Sequence, residues 1–434
     1  MSADVTTPET LEVGSQTVEH AHTESAEDRI QRISTGVLIA LMGVILLVLT
    51  TSTSGIAQFA MSDFFAKVKL PTISVPGLPM VIICAVLCLL TAAGFLSGRM
   101  RRRWPAVAGT VAGLAVTIGF LSWAAAGRAL PFAVSNQFAG TIALATPLIF
   151  GALAGTLCER SGVVNVAIEG QFLTAAFASA IVGSSTRSIF WALVAAMIAG
   201  VVMASILALF ALKYLVDQVV LGVVINLLAA GITGFFFDET MKGIPSAPVL
   251  QRIHIPVLGD IPFLGPVLFD QNLLVYLAVI SVIVVWFLLY RTKWGLRVRA
   301  VGEHPKAADT VGISVIATRW SAVLLGGVFA GLGGACFTIA TSGGFEKNIS
   351  AGNGFIALAA LIMGRWHPVL AAVMALFFGF VRQLANSLAP LNTPMPSDFL
   401  GMLPYIATII AVAGLVGRVR APAADGTPYI KEGH

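Results

Sequence analysis

The chain has 434 residues, 57% of them hydrophobic and 11% charged, with a formal net charge of +5. A soluble chain carries about a quarter charged residues, so this one has too little polar surface to cover a water-facing globule. That excludes a soluble enzyme, a disordered protein and a disulfide-rich secreted domain. A mean hydropathy of +0.91 points instead to repeated bilayer crossings, each needing about 20 apolar residues.

Residues 1–33 hold seven acids and two arginines without an apolar stretch; they read as a disordered cytoplasmic tail, not a cleavable signal peptide. Apolar runs follow at 34–55, 78–97, 105–126, 138–157, 163–183, 188–212, 218–237, 272–290, 315–340, 353–364, 368–386 and 400–417. Backbone groups in lipid must bond within their own segment, so the expected fold is an all-α membrane protein. It is a polytopic bundle of about 10–12 transmembrane segments, some broken, since the run at 353–364 is too short to cross alone. We divide the chain into N-terminal helices at 34–130, a core at 131–417 and a cytoplasmic tail at 418–434. With the N-terminus inside, eighteen of the 26 lysines and arginines fall on the inner side, which predicts both termini in the cytoplasm. Parity after residue 340 depends on whether 353–364 crosses.

Two loops stand out. Residues 238–271, expected outside, carry Pro245, Pro248, Pro256, Pro262 and Pro266 and read as an ordered, extended cap. Residues 291–314, expected inside, are basic; Pro305 and Gly312 frame a short helix able to meet a cytoplasmic partner.

Polar groups at membrane depth mark pathways or buried pairs. In ERSGVVNVAIEGQFL, Asn165 and Glu169 are four apart and would share one helix face, with Gly170 and Gln171 beside them; Gly170 would let the helix unwind. Either this is a discontinuous helix lining a translocation path, or it caps the interface with Glu169 paired to an arginine. A second patch holds Gly343, Gly344, Asn348, Ser350, Gly352, Asn353 and Gly354 ahead of the short run. It is either a half-helix presenting amide donors to a polar solute or an outer loop entering a tilted helix. Asn226 either bonds a neighbouring helix or faces the path. Gly109 with Gly113, and Gly327 with Gly331, have the spacing for close helix packing.

The chain lacks a G-x-x-x-x-G-K-[ST] loop and an HExxH, its six histidines are scattered, and its four cysteines form no CxxC pair. No catalytic residue, metal site or resident cofactor is therefore expected, ATP hydrolysis is not expected of this chain, and its basicity is assigned to cytoplasmic loops rather than to nucleic acid.

ERSGVVNVAIEGQFL, DQVVLGVVINLLAAGITGF, IPVLGDIPFLGPVLFDQNLLVYLAV, YRTKWGLRVRAVGEHPKAADTVGI and NGFIALAALIMGRWHPVLAA together resemble permease subunits of bacterial ABC importers. They are most similar to the nucleoside and simple-sugar uptake branch related to branched-chain amino acid permeases, and the resemblance runs from about Phe138 to Ala413. It implies a multi-pass subunit of the bacterial cytoplasmic membrane that translocates nucleosides. The implied partners are membrane lipid, a second, similar permease, a cytoplasmic ABC ATPase that uses the ATP, and a lipid-anchored extracytoplasmic binding protein. The 291–314 loop resembles the coupling loop of such importers: Ala307, Ala308 and Gly312 match the EAA-x-x-x-G pattern, with Lys306 in the glutamate's place. Glu303, Lys306, Ala307, Ala308 and Gly312 are thus the expected ATPase contacts. Asn165, Glu169, Gln171, Asn226, Asn353 and Phe355 are the expected substrate path, the amides bonding sugar hydroxyls or base edges and Phe355 stacking on a base. The alternatives are the same class carrying a monosaccharide or branched-chain amino acid, and a secondary transporter acting alone.

Overall fold

A computed structural model describes residues 26–62, 69–98, 104–240, 246–391, 402, 406 and 420–431. Helix α1 (Ala26–Thr50) leads into strands β1 (Ile56–Ala60) and β2 (Ile73–Pro76), which pair antiparallel with Ile56 opposite Pro76. Helices α2 (Gly77–Ser97) and α3 (Trp104–Ala125) follow, then β3 (Phe132–Ala133), parallel to the end of β1. The core comprises α4 (Val134–Arg160), α5 (Ile168–Thr186), α6 (Ile189–Ala208, extended by a π-helical turn to Lys213) and α7 (Gln218–Thr240). Strands β4 (Arg252–His254) and β5 (Asp270–Asn272) form an antiparallel pair in the described part of the proline-rich loop, residues 246–272; Pro245 lies outside the described residues. Helices α8 (Leu273–Arg291), α9 (Lys293–Glu303), α10 (Pro305–Thr310), α11 (Val315–Ala335), α12 (Asn353–Met363) and α13 (Pro368–Leu388) complete the described chain.

Among the described residues, nine helices are long and apolar enough to cross a membrane. This is a multi-pass helical membrane protein. The expected span at 400–417, apart from Met402 and Ile406, and the basic residues Arg99, Arg101, Arg102 and Arg103 lie outside the described residues.

Two apolar cores hold the bundle. One joins α1, α2 and α3 to the end of α13. The larger is built around α4, whose span is 83% buried where most other spans are largely exposed. Helix α4 packs against α13, α11, α12 and α8, so a helix as apolar as its neighbours becomes the axis of the core. The glycine pairs split. Gly327 and Gly331 pack backbone to backbone on α6, where a Cβ on Gly200 would lie 2.2 Å from the Gly327 carbonyl oxygen. Gly109 and Gly113 of α3 face open space.

Contacts between chain ends fix the relative direction of the helices. Arg32 of α1 donates to the carbonyls of Phe95 (2.6 Å) and Leu96 (3.2 Å) at the end of α2, where unpaired C=O groups attract a cation. Residues 26–33, within the stretch 1–33 expected to be tail, are helical. Residues 420–431, also expected as tail, lie against α9: Ala424 N–H donates to the Gly302 carbonyl at 2.9 Å. The start of α1 and residues 420–431 thus share the end of the bundle that carries α9 and α10, and the 246–272 cap occupies the other.

Candidate functional site

The chain breaks where the polar patches sit. After α4, Gly162 takes φ +89° and residues 161–167 run without regular structure until α5. Asn165 therefore lies in the unwound segment, and the shared helix face expected for Asn165 and Glu169 does not exist. The unwinding precedes Glu169 rather than following at Gly170; Gly170 is helical and close to α7, where a Cβ would meet the Ile225 carbonyl oxygen at 3.0 Å. Side chains replace the missing ladder. Gln218 Oε1 accepts from Val164 N–H at 2.7 Å. Asn226 accepts from Gly170 N–H at 2.7 Å and donates to the Val166 carbonyl at 3.0 Å, which answers the open question about its role in favour of the neighbouring helix. Asn165 donates to Gln171 Oε1 at 3.2 Å, and both are fully buried. At a rise of 1.5 Å per residue, Asn226 lies about 12 Å along α7 from Gln218, so this junction is at membrane depth.

The second patch meets the first there. Residues 344–352 enter from the capped end, and Gly352 takes φ +78° just ahead of α12. Glu169 Oε1 accepts from Ser350 Oγ (2.6 Å) and Gly352 N–H (2.8 Å), and Oε2 from Gly354 N–H (2.7 Å). One carboxylate thus caps the half-helix α12 from another helix, satisfying amides that α12 cannot bond itself. Its partners are backbone amides and a hydroxyl rather than an arginine. Helix α12 then descends to the α9–α10 end, where Arg160 Nε donates to the Trp366 carbonyl at 2.9 Å and Trp366 Nε1 donates to Glu159. The stretch 344–363 therefore completes one pass.

A cleft of about 360 Å³ opens beside this junction, lined by Thr146 and Pro147 of α4, Asn272, Thr341, Ser342, Glu346, Asn353 and Arg382. Asn353 is the one predicted path residue that lines it. Its Nδ2 donates to the Ser350 carbonyl at 2.6 Å and its Oδ1 accepts from Arg382. Asn165, Glu169, Gln171 and Asn226 form the scaffold of the junction, and Phe355 is 49% exposed on the outer side of α12. Arg382 is a cleft residue that the sequence reading did not single out. Its position inside the apolar run 368–386 was the signal that it belongs at depth.

At the opposite end, Pro305 opens α10 and Gly312, at φ +80°, closes it, as expected. Helix α9, which the sequence does not mark off from its neighbours, is capped by Thr292, whose Oγ1 accepts from Gly295 N–H at 3.1 Å. Lys306, Ala307 and Gly312 are exposed, whereas Ala308 is buried with Val301 and Val315. Glu303 faces the C-terminal segment, accepting from Ala423 N–H at 3.3 Å. Asp425 of that segment lies beside Arg319; burial pushes its carboxyl up to about 7 despite the guanidinium, which pulls the other way. Among the described residues no group of three or more His, Cys, Asp or Glu is placed to hold a metal ion.

Residues 137–412 match the family described as branched-chain amino acid transport system / permease component. The chain is 43% identical over 306 residues to the guanosine ABC transporter permease protein NupQ of Bacillus subtilis, covering 67% of this chain and 95% of that protein. It is 39% identical over 305 residues to the nucleoside ABC transporter permease protein NupC of Lactococcus lactis subsp. cremoris, covering 68% and 96%. A glucose ABC transporter permease protein of Haloferax volcanii is 29% identical over 260 residues, covering 56% and 68%. No solved structure matches the chain. The family match over residues 137–412 and the two permeases at 43% and 39% identity make the chain a member of the branched-chain amino acid transport system permease-component family.

Proposed function

We propose that the chain is the membrane-spanning permease subunit of an ATP-driven ABC importer that carries nucleosides across the cytoplasmic membrane. The observation that carries this reading is the similarity to two permeases named for guanosine and nucleoside transport, over nearly their whole lengths. The α9–α10 end, with Arg291, Lys293, Arg297, Arg299 and Lys306, faces the cytoplasm by the positive-inside rule, which puts the start of α1 and residues 420–431 on that side. The cap at 246–272 then faces outward, towards a lipid-anchored binding protein.

The cleft is at the small end of the range for small-molecule pockets, about 300–1,000 Å³. It offers amide, hydroxyl, carboxylate and guanidinium groups, which suit a polar uncharged solute. Asn353 and Arg382 contact the solute, while Asn165, Glu169, Gln171 and Asn226 hold the broken helices that frame it. Phe355 lies towards lipid or a second permease. An ABC ATPase docks on the exposed face of Lys306, Ala307 and Gly312 and hydrolyses ATP in its own nucleotide sites, with Ala308 and Glu303 shaping that docking face from behind. This chain binds no cofactor of its own.

Uptake of labelled guanosine into cells making the intact importer tests the reading, with unlabelled uridine, glucose and leucine as competitors. Nucleosides should compete and the others should not, and uptake should stop when the ATPase is deleted. Competition by glucose or leucine alone would move the cargo to a monosaccharide or a branched-chain amino acid, and uptake by the purified chain in liposomes under an ion gradient without ATP would make it a secondary transporter.

A further inference from the structure

Residues 420–431 have the composition of a free tail, RAPAADGTPYIK, yet they are built into the fold. Arg319 of α11 is 1% exposed. Its Nε donates to the Ser161 carbonyl at 3.1 Å and its Nη1 to the Thr427 carbonyl at 3.1 Å. One guanidinium therefore grips both the start of the unwound 161–167 junction and the C-terminal segment. That segment turns on itself, Thr427 N–H donating to the Ala424 carbonyl at 3.2 Å. It reaches the platform through Ala424 N–H on Gly302 and Ala423 N–H on Glu303, and Tyr429 packs on the Val301, Ala308 and Val315 cluster under α10. On its other side it touches the junction: a Cβ on Gly162 would lie 2.9 Å from the Ala424 carbonyl oxygen, and one on Gly426 would lie 3.3 Å from Val164. The segment clamps α9–α10 onto the break from the side, where α9 itself packs directly on it, a Cβ on Gly302 lying 2.1 Å from the Arg160 carbonyl oxygen; its contacts on both partners are too close to leave slack.

We propose that residues 420–429, pinned by Arg319, link the α9–α10 platform to the 161–167 junction, so that displacement of the platform is delivered to the broken helix that carries Glu169. This rests on the reading of α9–α10 as the ATPase contact. Arg319 is a positioning residue in this scheme: it touches neither solute nor nucleotide.

Amide exchange of the full chain in lipid nanodiscs tests the link without invoking transport. A chain ending at Val419, and Arg319→Met, should each exchange at least tenfold faster at 161–167 and at 300–304 together, with the amides of α1–α3 unchanged; Arg319→Lys should restore part of the protection. Wild-type exchange at either region in the shortened chain would overturn the link, and that variant gives the answer even where Arg319→Met fails to fold. In cells with the intact importer, the shortened chain should lose at least tenfold of nucleoside uptake while the ATPase still co-purifies with it. Unchanged uptake, or loss of co-purification, would also overturn the link. If the wild-type chain shows no ATP-dependent uptake, the importer reading fails, and the exchange result decides the link on its own.

Discussion

Replacing Glu169 should unfasten α12. The carboxylate takes three hydrogen bonds, from Ser350 Oγ, Gly352 N–H and Gly354 N–H, at a residue only 8% exposed. Each buried donor left without an acceptor costs about 1–3 kcal/mol, so Glu169→Ala should weaken the local structure by at least about 3 kcal/mol. At about 1.4 kcal/mol per tenfold, amides 352–356 should then exchange more than about a hundredfold faster. Glu169→Gln keeps one carbonyl oxygen and turns the other position into a donor facing Gly354 N–H; losing one bond predicts about a tenfold effect. Exchange measured by mass spectrometry on the purified chain in nanodiscs reads both values. Equal exchange in wild type and Glu169→Ala, or a larger effect for Gln than for Ala, would refute the capping argument.

Three further outcomes are expected. Asn226→Leu removes an acceptor for Gly170 N–H and a donor for the Val166 carbonyl; at about 1–3 kcal/mol for each group left unpaired it should destabilise the chain by about 2–6 kcal/mol, seen as a lower thermal midpoint. Gly312 has φ +80° and open space around its missing Cβ, so Gly312→Trp should cost only about 1–2 kcal/mol of backbone strain and leave membrane insertion intact; uptake should nonetheless be lost, and normal uptake would count against ATPase docking there. Asp425, with its folded pKa raised to about 7 from 3.8 by burial, binds its proton more tightly when the segment is docked. Docking should weaken as pH rises from about 4 to about 7 and level off above, read as exchange at 423–427; Asp425→Asn should flatten that profile.

The spans were legible because hydropathy along the chain is set by the lipid alone, and α10 was legible because Pro305 and Gly312 act locally. The two polar patches were also visible, but not their meeting: Glu169 and Gly354 are 185 residues apart, and nothing in local spacing pairs them. The helical i, i+4 rule misplaced Asn165 because the side chains of Gln218 and Asn226, on a different helix, take over the backbone bonding of the unwound segment. Ala308 shows the converse limit. A small residue suits a docking surface and a tight core equally well, and only burial beside Val301 and Val315 distinguishes them. The fixed C-terminal segment was invisible because its polar composition describes an unbound tail, whereas its order comes from a guanidinium on α11.

The cap on α12 also has a bearing on biogenesis. Synthesis places Glu169 in the membrane long before residues 350–354 leave the ribosome, so during that interval a carboxylate waits among apolar helices without its donors. Until residues 344–363 arrive, water or a chaperone must screen that charge. A nascent chain arrested before Ser350 should for that reason be a preferred target of membrane quality control, and one arrested shortly after Met363 should escape it.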